Sequence, residues 1–306
     1  MKITEYKLSS PIVTFYSHKG GVGRTTALAA FAAFYATHYG KKVVMIDCDF
    51  EAPGFANFFD LAHAPPTNGT VEYLLDRLFA GDEVKLKPYA IQISKEYAGK
   101  GELHVILAGN LSEETSIPDA PKYGTHFRHY LESLARLNVS GTEQIVEQMT
   151  DLLKDVRKEI NPDVILIDTR NGINDIFGNL GLPLSSLIVG FFANDYQTIP
   201  GLNFFLRIAL KSEFTSIVVN SLIPEQRVFE KFQQRVNLYI EQKATDKSKI
   251  ANIKMSSIMR DAQLEQLGTA GDKNTFLNLI KESSNYRPFF EMVIAQLNVI
   301  KNRQRR

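Results

Sequence analysis

The sequence predicts an α/β fold: a mostly parallel, doubly wound sheet with helices on both faces. Three observations predict it. Short apolar runs alternate with helical patterns along the 306 residues, as chained βαβ units require. The runs are continuously apolar, which is how parallel strands buried on both faces read. The first run also leads through a glycine-rich segment into a helix.

Taken in order, the first strand is Ile12–Tyr16. The alanine-rich stretch Thr25–Tyr39 is a helix, and Gly40 supplies its stop. Val43–Ile46 is the next strand. Residues 55–140 are less regular and read as helices around one strand, Leu103–Leu107, followed by a helical excursion. Thr142–Ile160 places Ile145, Met149, Leu152, Leu153 and Val156 at helical spacing and ends before Asn161-Pro162. Strands follow at Val164–Ile167, Leu187–Phe192 and Ile217–Val219, with a weaker one near Ile253–Met255. The chain closes with a helix over about Asn274–Arg303, breaking at Pro288. The whole chain, 1–306, is expected to form a single nucleotide-binding domain, with residues 274–306 as its C-terminal helix and basic tail.

Composition narrows the setting. Hydrophobic residues make up 44% and charged residues 23%, which is ordinary for a globular chain. The net charge of +1 gives no global pull toward nucleic acid or acidic lipid. Cys48 is the single cysteine, so no internal disulfide forms. The N-terminal segment lacks the apolar core of a signal peptide. Ala27–Ala36 and Leu187–Ala193 are too short to span a bilayer. A cytoplasmic location is expected, without membrane association.

Ser17-His18-Lys19-Gly20-Gly21-Val22-Gly23-Arg24-Thr25-Thr26 joins a strand to a helix. In that context the glycines let backbone N–H groups turn toward an anion, and the helix start adds partial positive charge. Thr25 stands where a hydroxyl would bind Mg²⁺. A ligand-free glycine turn is the plainer alternative. Two further strands end in acids, Asp47-Cys48-Asp49 and Asp168-Thr169. Such carboxylates suit a hard cation, although a solvated strand end would read the same. Cys48, between two acids, is expected to point into the core.

KGGVGRTT resembles the deviant Walker A motif, KGGxGK[ST]T, of the ParA/MinD/nitrogenase-iron-protein class. The resemblance implies a dimerising P-loop ATPase that binds ATP with Mg²⁺. It implies that Lys19, Gly20, Gly21, Val22, Gly23, Arg24, Thr25 and Thr26 cradle the nucleotide, with Lys19 reaching across a dimer and Thr25 on the metal. Arg24 departs from the class, which has lysine there. Charge is kept, but a rigid fork replaces a point charge, so hydrolysis is the property most affected.

Asp47-Cys48-Asp49 with Pro53-Gly54 is similar to the class's DxDxxxPG segment. By that match Asp49 orients the attacking water, and Asp47 supports the metal shell. The run ending at Asp168 looks like Walker B, a metal-holding acid. Gly172 would bring a backbone N–H toward the γ-phosphate. Arg170 is open between phosphate, a partner subunit and solvent. In the class, an asparagine at the position of Asn220 meets the adenine edge, and Arg260-Asp261 resembles the loop beside the base. The resemblance thus implies a catalytic set of Asp49, Lys19 and Arg24 and a metal set of Thr25, Asp47 and Asp168.

The partners implied are a second copy of the chain under ATP and a further protein. Residues 225–260 carry eight Lys or Arg against four Asp or Glu, and residues 301–306 add four basic side chains. Those patches could hold DNA phosphates without reading sequence, or be solvated helix faces. The alternative function is a nucleotide-stabilised adaptor or binding module with little or no hydrolysis, within a larger assembly. A tyrosine kinase sharing the loop type would end in a tyrosine cluster, which this tail lacks.

Overall fold

The computed structural model describes residues 10–304 except 56–57, 60, 62–67, 112–124, 140, 173–177, 179–181, 263 and 265–272. The strands are β1 (Ile12–Ser17), β2 (Lys42–Cys48), β3 (Ile91–Gln92), β4 (Glu102–Ile106), β5 (Val164–Thr169), β6 (Leu187–Phe192), β7 (Thr215–Ile223) and β8 (Ile253–Met259). The helices are α1 (Arg24–Tyr39), α2 (Thr70–Ala80), α3 (Lys95–Ala98), α4 (Thr125–Val139), α5 (Thr142–Asp155), α6 (Leu182–Leu184), α7 (Ile199–Lys211), α8 (Gln226–Lys243), α9 (Lys273–Glu282) and α10 (Arg287–Gln304).

The strands form one sheet in the order β3-β4-β2-β5-β1-β6-β7-β8. Every pairing is parallel except that of β3 with β4. The mostly parallel sheet follows from the continuous apolar runs. All residues of β1, β5 and β6 are buried. Successive side chains alternate between faces. Val13 and Phe15 join a core with Phe31 of α1 and Phe289 of α10, whereas Tyr16 joins Phe205 of α7 and Phe232 of α8 on the other side. Farther along that second face, Val44 and Ile46 pack with Leu74 of α2 and Met149 of α5.

The C-terminal helix and three strands differ from the sequence reading. The long C-terminal helix is two helices, α9 and α10, separated at Ser283–Tyr286. Pro288 lies in the first turn of α10, where its missing N–H leaves no bond unmade, so it starts a helix instead of breaking one. β3 was not foreseen, because a two-residue antiparallel edge strand has no periodicity to read. β7 and β8 both run past the short apolar cores expected for them. The region after α5 continues as one wider helical turn over Val156–Ile160 and stops at Asn161, whose φ of 52° is left-handed. The predicted stop before Asn161-Pro162 therefore coincides with a left-handed cap.

Among the described residues, no helix is long and apolar enough to cross a membrane.

Candidate functional site

The glycine-rich loop lies between β1 and α1, at the C-terminal edge of the central strands. Gly21 and Gly23 hold φ of 73° and 74°, a left-handed backbone that favours glycine. Gly20 and Gly21 are exposed, and Gly23 precedes the first turn of α1. Ser221 Oγ of β7 donates to Val22 O at 2.6 Å and ties the loop to the sheet. The result is a set of backbone N–H groups at a helix start, the arrangement that attracts anions.

Register brings the two acidic strand ends together. Asp47 of β2 pairs with Asp168 of β5, and both are fully buried. Asp47 accepts N–H bonds from Asp49 at 3.0 Å, Gly54 at 3.2 Å and Phe55 at 3.5 Å. Gly54 is required by crowding: a Cβ there would lie 2.8 Å from the Thr25 methyl. Burial and the adjacent Asp168 charge push the Asp47 carboxyl up to about 8, against the N–H bonds from Asp49 and Gly54. Asp168 is likewise raised by burial, against the pull of Arg24 and Thr25.

Arg24 is the centre of the cluster. It is buried, and its fork points inward to the carboxylates. Nε donates to Asp168 Oδ1 at 2.5 Å, and Nη2 donates to Asp49 Oδ2 at 2.9 Å. Nη1 donates to Asn171 Oδ1 at 2.7 Å and to Ser17 Oγ at 3.1 Å. Burial opposes the charge, but Asp168 and Asp49 outweigh it and hold the guanidinium above its ordinary value. Thr25 Oγ1 donates to the other oxygen of Asp168 at 2.6 Å.

The structure thus brings together Arg24, Thr25, Asp47, Asp49 and Asp168. The remaining polar candidates have the following partners. Lys19 is paired within its own chain, with Asp195 at 3.6 Å and with Gln197. Gly172 has φ of 81°, and its N–H donates to Ser17 O at 2.9 Å. Arg170 pairs with Glu51 at 2.5 Å. Asn220 is fully buried, and its amide donates to Phe192 O at 3.2 Å. Its Oδ1 has no partner among the described residues. Cys48 is buried in the apolar core, and burial raises its thiol well above the ordinary value.

Next to the loop lies a cleft of about 260 Å³ lined by Gly21, Gly23, Thr26, Leu222, Asp261 and Tyr286, among others. Asp261 accepts from Asn285 Nδ2 at 3.1 Å. Leu222 packs over Gly23 and has φ of 55°, unusual for a branched side chain. It sits at the irregular end of the β7–β8 pairing. Ser17, Asn171, Asp195, Gln197 and Leu222 were missed by the sequence reading. Ser17 opens the motif and Asn171 follows the Walker B-like strand, so proximity could have suggested both. Nothing in the sequence marks Leu222.

The donors around Arg24 are hydroxyl and carboxylate oxygens, the chemistry a magnesium ion requires. The described residues nevertheless contain no group of three or more His, Cys, Asp or Glu side chains placed to hold a metal. The oxygens suit the ion in kind, but Arg24 engages them here.

Residues 13–198, more than half of the chain, match the family described as the CobQ/CobB/MinD/ParA nucleotide binding domain. A ParA family ATPase from Chlorobium tepidum TLS is 14% identical, with a TM-score of 0.61 over 94% of this chain and 98% of that one. A putative plasmid partition protein from Borrelia burgdorferi B31, bound to AMPPNP, is 17% identical, with a TM-score of 0.62 over 94% and 99%. A chain of the MinC:MinD cell division protein complex of Aquifex aeolicus has a TM-score of 0.55, 15% identity and 96% coverage of both chains. No curated protein sequence matches the chain. At such identities the solved structures show a shared fold, whereas the domain match, falling on the loop and the acidic strand ends, shows the family. The chain belongs to the CobQ/CobB/MinD/ParA family of P-loop nucleotide-binding domains.

Proposed function

We propose that the chain is an ATP-binding ParA/MinD-like ATPase that switches between monomer and homodimer with its nucleotide and recruits a further protein as a dimer. The observation that carries this reading is the exposed glycine loop at the start of α1, facing acids at the ends of β2 and β5. In this assignment Gly20, Gly21, Val22, Gly23, Thr25 and Thr26 hold the phosphates through N–H groups and hydroxyls. Thr25 and Asp168 would hold magnesium, with Asp47 in support; the ion, when bound, would screen the phosphate charge. Asp49 orients the attacking water. Gly172 would have to release its N–H from Ser17 O to meet the terminal phosphate, and the unmatched Oδ1 of Asn220 serves the base amino group.

Lys19 is the candidate for the dimer contact, since it is partly exposed and its partners among the described residues are Asp195 and Gln197, which follow β6. ATP bound only by the folded state should stabilise it by roughly 2.7 kcal/mol at a hundredfold excess over the dissociation constant. Thermal melting and molecular mass, with and without ATP and Mg²⁺, test both claims. Lys19→Ala should keep the thermal shift and lose the ATP-dependent mass increase. If the parent's mass stays monomeric while its melting point rises, the switch is wrong and binding stands.

One observation favours a second reading, an adaptor that binds nucleotide with little hydrolysis. Arg24 points away from the loop N–H groups and into the carboxylates that the chemistry would use. DNA is a third partner class. Arg227, Lys231 and Arg235 are exposed on α8, and such a stripe holds phosphates without base contacts. In the tail, Lys301 pairs with Asp163 at 3.6 Å, and residues 305–306 lie outside the described residues.

A further inference from the structure

Arg24 has acceptors for all of its fork. Nε meets Asp168; Nη1 meets Ser17 and Asn171; Nη2 meets Asp49 at 2.9 Å and Thr25 Oγ1 at 3.5 Å. The residue is only 5% exposed. These partners come from β1, α1, β5 and the segments after β2 and β5, so the guanidinium joins five parts of the chain.

A magnesium ion binds oxygen at about 2.0–2.1 Å in a near-octahedral shell. The oxygens it would contest with Arg24 include those of Thr25, Asp49 and Asp168. Asp168 Oδ1 already accepts from Nε at 2.5 Å, and Oδ2 accepts from Thr25 Oγ1 at 2.6 Å. A metal on this carboxylate and hydroxyl would stand against a permanently charged guanidinium in a buried site. Two cations on these oxygens, buried with no further anion between them, repel strongly. Arginine does not escape by losing its proton.

We propose that Arg24 is the resident cation of this site and competes with a divalent metal for Asp49, Asp168 and Thr25, so that the nucleotide-free chain excludes the metal. A triphosphate on the glycine loop offers the guanidinium a replacement partner and draws it outward, and only then are the oxygens released. This last part rests on the proposed nucleotide binding; the competition itself does not.

The test uses Mn²⁺ alone as the probe, followed by electron paramagnetic resonance and thermal melting in the full chain. The parent should bind Mn²⁺ weakly and melt at an unchanged temperature. Arg24→Gln keeps hydrogen-bond donors but removes the charge, and it should bind Mn²⁺ roughly ten- to a hundredfold more tightly. That range corresponds to the loss of one charge-assisted contact. Equal Mn²⁺ affinity in parent and variant would overturn the proposal.

A second measurement needs no variant. In parent protein carrying ¹⁵N-arginine, the Arg24 Nε signal should be unmoved by Mg²⁺ alone and should shift with AMPPNP and Mg²⁺. A signal unmoved while AMPPNP with Mg²⁺ raises the melting temperature would overturn the release. If AMPPNP fails to raise it at all, the nucleotide reading fails while the Mn²⁺ comparison still decides the competition.

Discussion

Asp47 and Asp168 stand in register on neighbouring strands, and burial deprives both of water. Two adjacent carboxylates cannot both ionise cheaply in such a place. With Asp47 pushed up to about 8, its folded value lies far above the ordinary carboxylate value of about 4. The sign follows directly. A raised acid stabilises the fold fully below the unfolded value, and the contribution is lost as pH rises from about 4 through 8. In chelator, the parent should therefore lose stability across that window relative to Asp47→Asn, by more than about 1.4 kcal/mol, the equivalent of one pKa unit. Urea unfolding at several pH values measures it; parallel curves for the two proteins would show that Asp47 does not titrate there.

Among the elements, the start of α7 controls the loop from below. A Cβ on Gly201 would lie 2.1 Å from His18 Cγ and 2.4 Å from its Cβ. These atoms are close to the His18 backbone, so rotating the ring cannot relieve the overlap. Gly201→Ala should cost about 1–3 kcal/mol by overpacking. It should also weaken AMPPNP binding, because His18 is the residue immediately before Lys19 and the glycines. The double variant with His18→Gly, which removes the Cβ as well as the ring, should recover most of the loss, since the two sites share one contact. Calorimetry on the two single variants and the double variant checks this; additive losses would place the damage elsewhere.

At the scale of the whole molecule, stability rests on the aromatic face beneath α1 and α10. Phe289 is fully buried, with ring centroids 5.6 Å from Phe191, 6.3 Å from Phe15 and 6.4 Å from Phe31. It therefore joins the C-terminal helix to the strands that carry the loop. Phe289→Ala should cost about 3–5 kcal/mol and lower the urea midpoint without changing the slope. A loss below about 1 kcal/mol would mean that α10 is dispensable to the core.

The sequence by itself determined the class of fold and the address of the site. Buried parallel strands must be apolar throughout, and left-handed turns want glycine, so β1, β2, β5, β6 and the loop at Gly20–Gly23 were legible as local chemistry. The acids at 47, 49 and 168 were legible because each closes an apolar run. Local chemistry does not reach across the fold. It could not show Asp195 and Gln197 meeting Lys19, nor Leu222 taking a left-handed turn over Gly23. It also could not distinguish an arginine that faces phosphate from one that turns back. Only the tertiary structure decided that Arg24 turns back. The β2-β5-β1 order sets Asp168 between Asp47 and the loop, and buried carboxylates there take the nearest cation, which the chain itself carries at position 24.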